Sequence, residues 1–209
     1  MKIRLTLLLT TLLALALILT AGSSHLSVAS QTRDDQKMIT LATLPSAPTP
    51  RRGFVEFADL KVDGLERFDG EAFEAGPDWV KDLSFKVRNT SGKPIIFIQV
   101  NVNFPETHAT GNLMSYTINF GVMPGSKATG GKPFLLESNE AIEVALASEI
   151  QKIAKFVGER RSLASINKVQ LEIGFVVLND KTAWSAGTFL RQDPNNPTRW
   201  LPIPIGLDN

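Results

Sequence analysis

Few residues in this sequence could carry catalysis or hold a metal. Its 209 residues include two histidines, His25 and His108, and no cysteine. Histidine is the usual general base and metal ligand, but a zinc site or a Ser–His–acid triad needs partners that the sequence does not group around either histidine. His108 follows Pro105 in a predicted loop, where a lone histidine is usually solvated. We therefore predict no catalytic residue, no metal site and no cofactor.

Carboxylates offer a second route to chemistry, because a pair of them can hydrolyse glycosides. Glu71, Glu74 and Asp78 cluster before Trp79. Acidic residues are common in the loops of soluble proteins, so the sequence favours a solvated loop at this point. A carboxylate-based hydrolase is the third hypothesis for this chain, and it requires a cleft with two carboxyl groups about 5–10 Å apart.

The segment Asp193-Pro194-Asn195-Asn196 supplies oxygens of the kind that bind calcium. The same residues are typical of an Asx-Pro turn, in which Asp193 accepts hydrogen bonds from backbone amides and pairs with Arg191. The sequence favours the turn.

The three tryptophans could form a stacking platform for a sugar or a peptide, since exposed aromatic rings dominate many recognition surfaces. In a sandwich with a single tyrosine, tryptophans also seal the ends of the core, and the sequence favours that interpretation. The residues proposed for contact with a ligand or partner are Trp79, Trp184, Trp200, Arg191 and Asp193.

The elements that must position these residues are mainly strands, because apolar and polar residues alternate along much of the chain. Leu83, Phe85 and Val87 alternate up to a turn cluster at Asn89–Gly92. After it, apolar residues at 98, 100, 102 and 104 face one way, and the amides at 99, 101 and 103 face the other. The pattern predicts a hairpin of these two strands.

Further alternation predicts strands over residues 116–122, 142–146 and 169–177, with outer strands over 54–62 and 184–190 and a bulge near Ala58. The stretch 123–133 is rich in Gly and Pro and is predicted to be a loop. One segment has helical spacing instead, and it predicts an inserted α-helix at about 148–160 with Ser148 as its cap. About seven strands with one helix indicate an immunoglobulin-like antiparallel β-sandwich.

The N-terminal end has the layout of a secretory signal, with Lys2 and Arg4 followed by an apolar run over residues 5–21. We predict a signal peptide or uncleaved membrane anchor at residues 1–30, a flexible Pro-containing linker at 31–50 and the sandwich domain at 51–209. The leader holds two of the 22 basic residues and none of the 21 acidic ones. The remainder is therefore nearly neutral, which does not indicate nucleic acid as a partner.

One stretch carries a resemblance. Leu83–Ile95, which reads L-S-F-K-V-R-N-T-S-G-K-P-I, resembles the second-to-third strand hairpin of bacterial extracytoplasmic immunoglobulin-like domains, where V-x-N-x-S-x-K-P-I is common. The tail, residues 184–187 and 191–200, is similar to that of uncharacterised exported bacterial proteins. The resemblance covers about residues 80–104 and 168–200. It implies the fold and an exported protein, and it implies no activity.

We therefore predict a non-catalytic, secreted or periplasmic module that binds an envelope protein or supports an envelope assembly. Its contact surface would be an exposed sheet edge or the loops at 105–115 and 123–133. The alternative is a carbohydrate- or peptide-binding domain that uses exposed tryptophans.

Overall fold

The computed structural model describes residues 36–44, 54–126 and 131–203. Within them the chain forms two β-sheets, of eight and four strands, and one short α-helix. The predicted mainly-β, two-sheet architecture is confirmed. The strands outnumber the seven expected because β1, β3, β4 and β12 were not predicted and the predicted strand over 184–190 is two strands. No helix in this part of the chain is long and apolar enough to cross a membrane, and the predicted leader at residues 1–30 lies outside it.

In chain order, the elements are β1 (Lys37–Thr43), β2 (Val55–Val62), β3 (Leu65–Glu66), β4 (Ala72–Ala75), β5 (Leu83–Asn89), β6 (Ile95–Phe104), β7 (Met114–Gly121), β8 (Ala141–Ala145), α1 (Ile150–Gly158), β9 (Lys168–Leu178), β10 (Thr182–Ser185), β11 (Thr188–Asp193) and β12 (Asn196–Pro202).

Strand β9 is the centre of the larger sheet. One side of it pairs antiparallel with β6, which pairs in turn with β7. The other side holds two strands, β1 beside residues 168–171 and β10 beside residues 176–177. Beyond these lie β4 next to β1, and β11 and β12 next to β10. β1 runs parallel to β9, so the larger sheet is mixed. The prediction of a purely antiparallel sandwich is wrong in this respect.

Strand β1 corrects part of the linker prediction. Residues 37–43 lie within the segment 31–50 that was expected to be flexible, yet they form an inner strand between β9 and β4. Ile39 and Leu41 point the same way from this strand and are fully buried in the main core. The apolar–polar alternation of this strand is short and adjoins a proline-rich stretch. The composition of the whole segment therefore indicates a linker.

The predicted hairpin of β5 and β6 is wrong, because the two strands belong to different sheets. β5 pairs with β2 and β8 in the smaller sheet, and β6 pairs with β7 and β9 in the larger one. Residues 90–94 therefore cross from one sheet to the other. The inward side chains of both strands pack into one core, as the alternation predicts. Gly92 has φ +73°, which confirms the turn expected there.

Asn89 fixes this crossing. The residue is fully buried at the end of β5. Its side-chain Nδ2 donates to the carbonyl oxygens of Lys93 (2.8 Å) and Leu136 (2.9 Å). Its Oδ1 accepts from the backbone N–H and the hydroxyl of Ser91, at 2.9 and 2.7 Å. A buried polar group is tolerated when its hydrogen bonds are made, and here they hold the crossing loop in place.

Of the two predicted outer strands, the one over residues 54–62 is confirmed and the one over 184–190 is not. The bulge predicted near Ala58 is confirmed, since the register of β2 against β5 shifts between Ala58 and Lys61. The single strand predicted over Trp184–Leu190 is instead a hairpin of β10 and β11. Its turn is Ala186-Gly187, where both residues have positive φ (47° and 83°), as a tight two-residue turn requires.

The predicted helix is confirmed over a shorter range, Ile150–Gly158, with Ile153 and Val157 fully buried. Ser148 does not cap it. Ser148 lies in the preceding 3-10 turn and donates its hydroxyl hydrogen to the Ala145 carbonyl. The residue at the helix start is Glu149, whose carboxylate accepts a 2.6 Å hydrogen bond from the Tyr116 hydroxyl on β7.

This Tyr116–Glu149 contact should make stability depend on pH. Burial, and then the bond to Glu149, raise the pKa of Tyr116 from 10.0 to about 12. The bond from Tyr116, helped by Lys152, lowers the pKa of Glu149 below 4.5. The tyrosine's contribution to stability is therefore present below pH 10 and lost as the pH rises towards 12, and that of the glutamate is lost as the pH falls below 4.5.

We expect Tyr116→Phe to lower the free energy of unfolding by about 1 kcal/mol at pH 7, where the bond is intact. The difference from the unsubstituted protein should shrink both in acid and in strong alkali. Urea unfolding of both proteins at acid, neutral and alkaline pH measures it. A difference that stays the same across the range would contradict the assigned role of the pair.

Candidate functional site

Two of the three tryptophans are core residues. Trp79 and Trp184 are each 2% exposed, and both pack in the main core. The indole Nε1 of Trp79 donates to the Ile166 carbonyl at 2.9 Å, which satisfies its one polar atom inside the protein. Neither ring is available to stack on a ligand, so the structural role favoured by the sequence applies to both.

Trp200 is different, because it lies on the outer face of the larger sheet and is partly exposed. Its ring meets Phe175 of β9 edge-on, with the centroids 5.6 Å apart. The two rings line a surface groove of about 370 Å³ together with Thr198 and residues 123–126. Trp200 is therefore the tryptophan that a ligand could reach.

Gly125 brings the loop wall of this groove close to β12. Its φ is +82°, and a side chain there would place a Cβ 2.0 Å from the Pro197 carbonyl oxygen. Glycine is needed both for this backbone conformation and for the close approach. The loop predicted over residues 123–133 thus supplies one side of the groove; residues 127–130 lie outside the described residues.

A row of polar side chains continues from the groove along the same face. We call it the amide strip, and it consists of Gln99, Asn101 and Asn103 on β6 and Glu172 on β9. Glu172 Oε2 accepts from Asn103 Nδ2 at 3.2 Å and from Asn101 Nδ2 at 3.5 Å. Asn101 Oδ1 accepts from Gln99 Nε2 at 3.2 Å. Asn103 is buried, with 2% of its surface exposed, so it holds Glu172 in place, whereas Gln99, Asn101 and Glu172 are partly exposed.

The strip lies next to the aromatic rings because of the pairing of β6 with β9. Gln99 stands opposite Phe175, and Asn101 stands opposite Glu172. The sequence correctly places the three amides on the face opposite Ile98 and Val100. It does not reveal their neighbours, since these depend on which strand pairs with β6 and in which register.

Arg191 and Asp193 both lie towards the end of β11, and the structure does not pair them. Asp193 Oδ1 accepts from the backbone N–H of Asn195 at 2.9 Å, which confirms the predicted Asx turn. Within the described chain Arg191 makes no ion pair with Asp193. No three His, Asp or Glu residues among residues 36–44, 54–126 and 131–203 are placed to hold a metal ion.

The carboxylates before Trp79 border a separate hollow of about 330 Å³. Glu74 and Asp78 line it, together with Asp63, Asp82 and Arg67, while Glu71 is not part of its lining. The Arg67 guanidinium lies over the Phe73 ring, 4.3 Å from its centroid. His108, by contrast, is exposed in the 3-10 turn Pro105–Thr110. The hydrolase hypothesis stays a prediction.

A further candidate is the free edge of β7. Among the described strands β7 pairs with β6 alone, and residues 115–121 make no backbone hydrogen bond elsewhere in this part of the chain. The strand reads M-S-Y-T-I-N-F-G, with no charged residue and no proline. The alternation predicts this strand, but its edge position follows only from the sheet topology.

Comparison with protein-family models, with curated proteins and with solved structures finds no match. The candidate surfaces are therefore judged by their own geometry and chemistry.

Proposed function

We propose that this chain is a non-catalytic extracytoplasmic interaction module, and that a partner protein binds it by adding an extended segment along the edge of β7. The secretory pattern of residues 1–30 supports the location outside the cytoplasm. The observation that carries the binding mode is the uncharged, eight-residue edge of β7.

The other edge strands in the described part of the chain have protective features that β7 lacks. β12 contains two prolines and an arginine, and β3, β4 and β8 are at most five residues long. Short strands, charges and prolines are the usual means by which proteins prevent their edges from pairing with other chains. An edge that lacks all three is suited to strand addition.

The chemistry of the expected partner segment follows from the two faces of β7. Tyr116, Ile118 and Phe120 point towards the core and stay partly exposed. Ser115, Thr117 and Asn119 lie on the other face. A segment with alternating apolar and polar residues would cover the first set and meet the second, while its backbone pairs with β7.

We also infer that the sandwich is immunoglobulin-like. β2, β5 and β8 are neighbours in the smaller sheet, and β7, β6, β9 and β10 are neighbours in the larger one. These orders match the A-B-E and C′-C-F-G strand orders of immunoglobulin domains, where the second and third strands also lie in different sheets. This inference concerns the fold alone, because such sandwiches host many functions.

Site-specific photocross-linking tests the binding mode. A photoreactive residue at position 119, on the exposed face of β7, should yield one defined adduct in the native envelope, and the adduct should map to an extended segment of the partner. Asn119→Lys should abolish capture by the tagged full-length chain, because it places a charge on the edge.

Position 195 provides the matched control. Asn195 is exposed in the β11–β12 turn and its side chain makes no described hydrogen bond. Asn195→Lys adds the same charge away from β7 and should leave capture unchanged. Equal adducts at 119 and 195, or full capture by the Asn119→Lys variant, would contradict strand addition.

A further inference from the structure

The outer face of the larger sheet combines two surfaces with different chemistry. At one end Phe175 and Trp200 cover a small apolar cluster of Phe97, Val177 and Ala183, which is separate from the main core. At the other end lies the amide strip. The strand pairing makes the two ends continuous, since Gln99 stands opposite Phe175.

Gly174 explains how the strip lies so close to the sheet. A methyl group at this position would be 2.7 Å from both Gln99 Nε2 and Asn101 Nδ2. The two amides therefore lie across the bare backbone of β9, and any side chain at 174 would displace them. The hydroxyl of Ser185, on β10, donates to the Gly174 carbonyl at 2.9 Å. This bond holds the backbone of β9 on the edge that faces away from β6.

The strip still has hydrogen-bonding capacity to offer. Gln99 and Asn101 are the partly exposed amides of the strip, and each carries two N–H donors, of which the bonds described above use one. Asn101 Oδ1 also accepts from the Thr117 hydroxyl at 3.2 Å, so this oxygen already has two donors. Glu172 Oε2 is occupied by the two asparagines, whereas its other oxygen has no partner among the described residues. Donors and acceptors are thus mixed along a short distance, with one carboxylate and no cation in the hydrogen-bonded set.

We propose that this face binds a neutral oligosaccharide, with a sugar ring against Trp200 in the groove and the hydroxyls of the neighbouring sugars on Gln99, Asn101 and Glu172 of the amide strip. A hydroxyl both donates and accepts, which suits alternating amide and carboxylate groups. The apolar face of a sugar ring suits a partly exposed indole. The carboxylate of Glu172 repels anionic ligands. This site does not depend on strand addition at β7.

The tryptophans allow a direct test on the full-length chain. Trp79 and Trp184 are buried, so iodide should quench mainly the fluorescence of Trp200. We expect a neutral hexasaccharide of glucose, mannose or N-acetylglucosamine to protect this fluorescence in a saturable manner. An oligogalacturonate should protect it at least tenfold less well, and an uncharged Gly-Ser peptide should give no saturable effect.

Calorimetric titration with the best neutral sugar then assigns the residues. Trp200→Ala and Glu172→Gln should each weaken binding about tenfold, through the lost stacking and the lost charged acceptor. Gly174→Ala should weaken it similarly by displacing the amides. Gly158→Ala is the matched control, because a Cβ there meets nothing within 4 Å, and it should leave the affinity unchanged.

The proposal is overturned if none of the neutral sugars binds, if the anionic sugar or the peptide binds as well as they do, or if the three variants bind as the control does. Circular dichroism of each variant shows whether it is folded. Glu172→Gln keeps the shape and length of the side chain and removes its charge. It is therefore informative even if Gly174→Ala fails to fold.

Discussion

Replacing Asn89 with alanine is expected to lower the free energy of unfolding by about 3 kcal/mol. The asparagine is fully buried, and its side chain makes three hydrogen bonds to the loop that crosses between the sheets and a fourth to the Leu136 carbonyl. Its removal leaves a cavity and strips the Ser91 N–H of its acceptor. The carbonyl oxygens of Lys93 and Leu136 keep their other donors, Ser91 Oγ and the Ile95 N–H, which limits the loss.

Urea unfolding followed by the fluorescence of the buried tryptophans measures this effect. Asn119→Ala is the matched control, since Asn119 is exposed on β7 and should change stability by less than about 0.5 kcal/mol. Ser91→Ala should fall between the two, because it removes only the hydroxyl part of the network. If Asn89→Ala were as mild as the control, the crossing would not depend on this side chain.

Replacing Trp79 with alanine should cost about 3–5 kcal/mol, the usual range for deleting a large buried ring. Trp79 is 2% exposed, meets Phe73 edge-on at 6.3 Å, and bonds the Ile166 carbonyl. Trp79→Phe keeps most of the volume and loses the hydrogen bond, so it should cost less. Unfolding followed by far-UV circular dichroism compares the variants.

Trp200→Ala is the informative contrast for Trp79. Trp200 is partly exposed over a small cluster, so we expect a loss of about 1 kcal/mol. The two tryptophans would then differ in kind, one stabilising the core and the other available at the surface. Equal losses at the two positions would mean that Trp200 is as much a core residue as Trp79, and would weaken the case for the groove.

Local patterns in the sequence predict much of the strand structure, because the side-chain period of two is a local property. The inward residues of β5 and β6 are buried as expected. The alternation predicted for β9 is right up to Ile173 and wrong after it, because the register shifts at Gly174. Val176 packs in the main core, and Phe175 and Val177 lie on the outer face. The partners of each strand are not local. A five-residue connection can close a hairpin or cross to another sheet, and the alternation of β5 and β6 is the same in both cases. Asn89, a polar residue in phase with Val87, is the available signal of the crossing.

The candidate surfaces show the same division. The outward direction of the amides on β6 follows from the alternation, but their position beside Trp200 follows from the register with β9. The burial of Trp79 depends on residues far away in sequence, such as Ile166, whose carbonyl accepts from its indole. Residue type made the three tryptophans equal candidates, and only the fold separates Trp200 from the others.

The position of β1 has a consequence for the order in which the protein can fold. β1 is made early, yet its parallel partner in β9 begins at Lys168, more than a hundred residues later, where Thr40 meets Lys168. If the chain is exported from its N-terminus, β1 emerges first and waits without this neighbour until most of the chain has crossed. Such a distant contact closes slowly. We therefore expect the pairing of β1 with β9 to be among the last steps in forming the larger sheet.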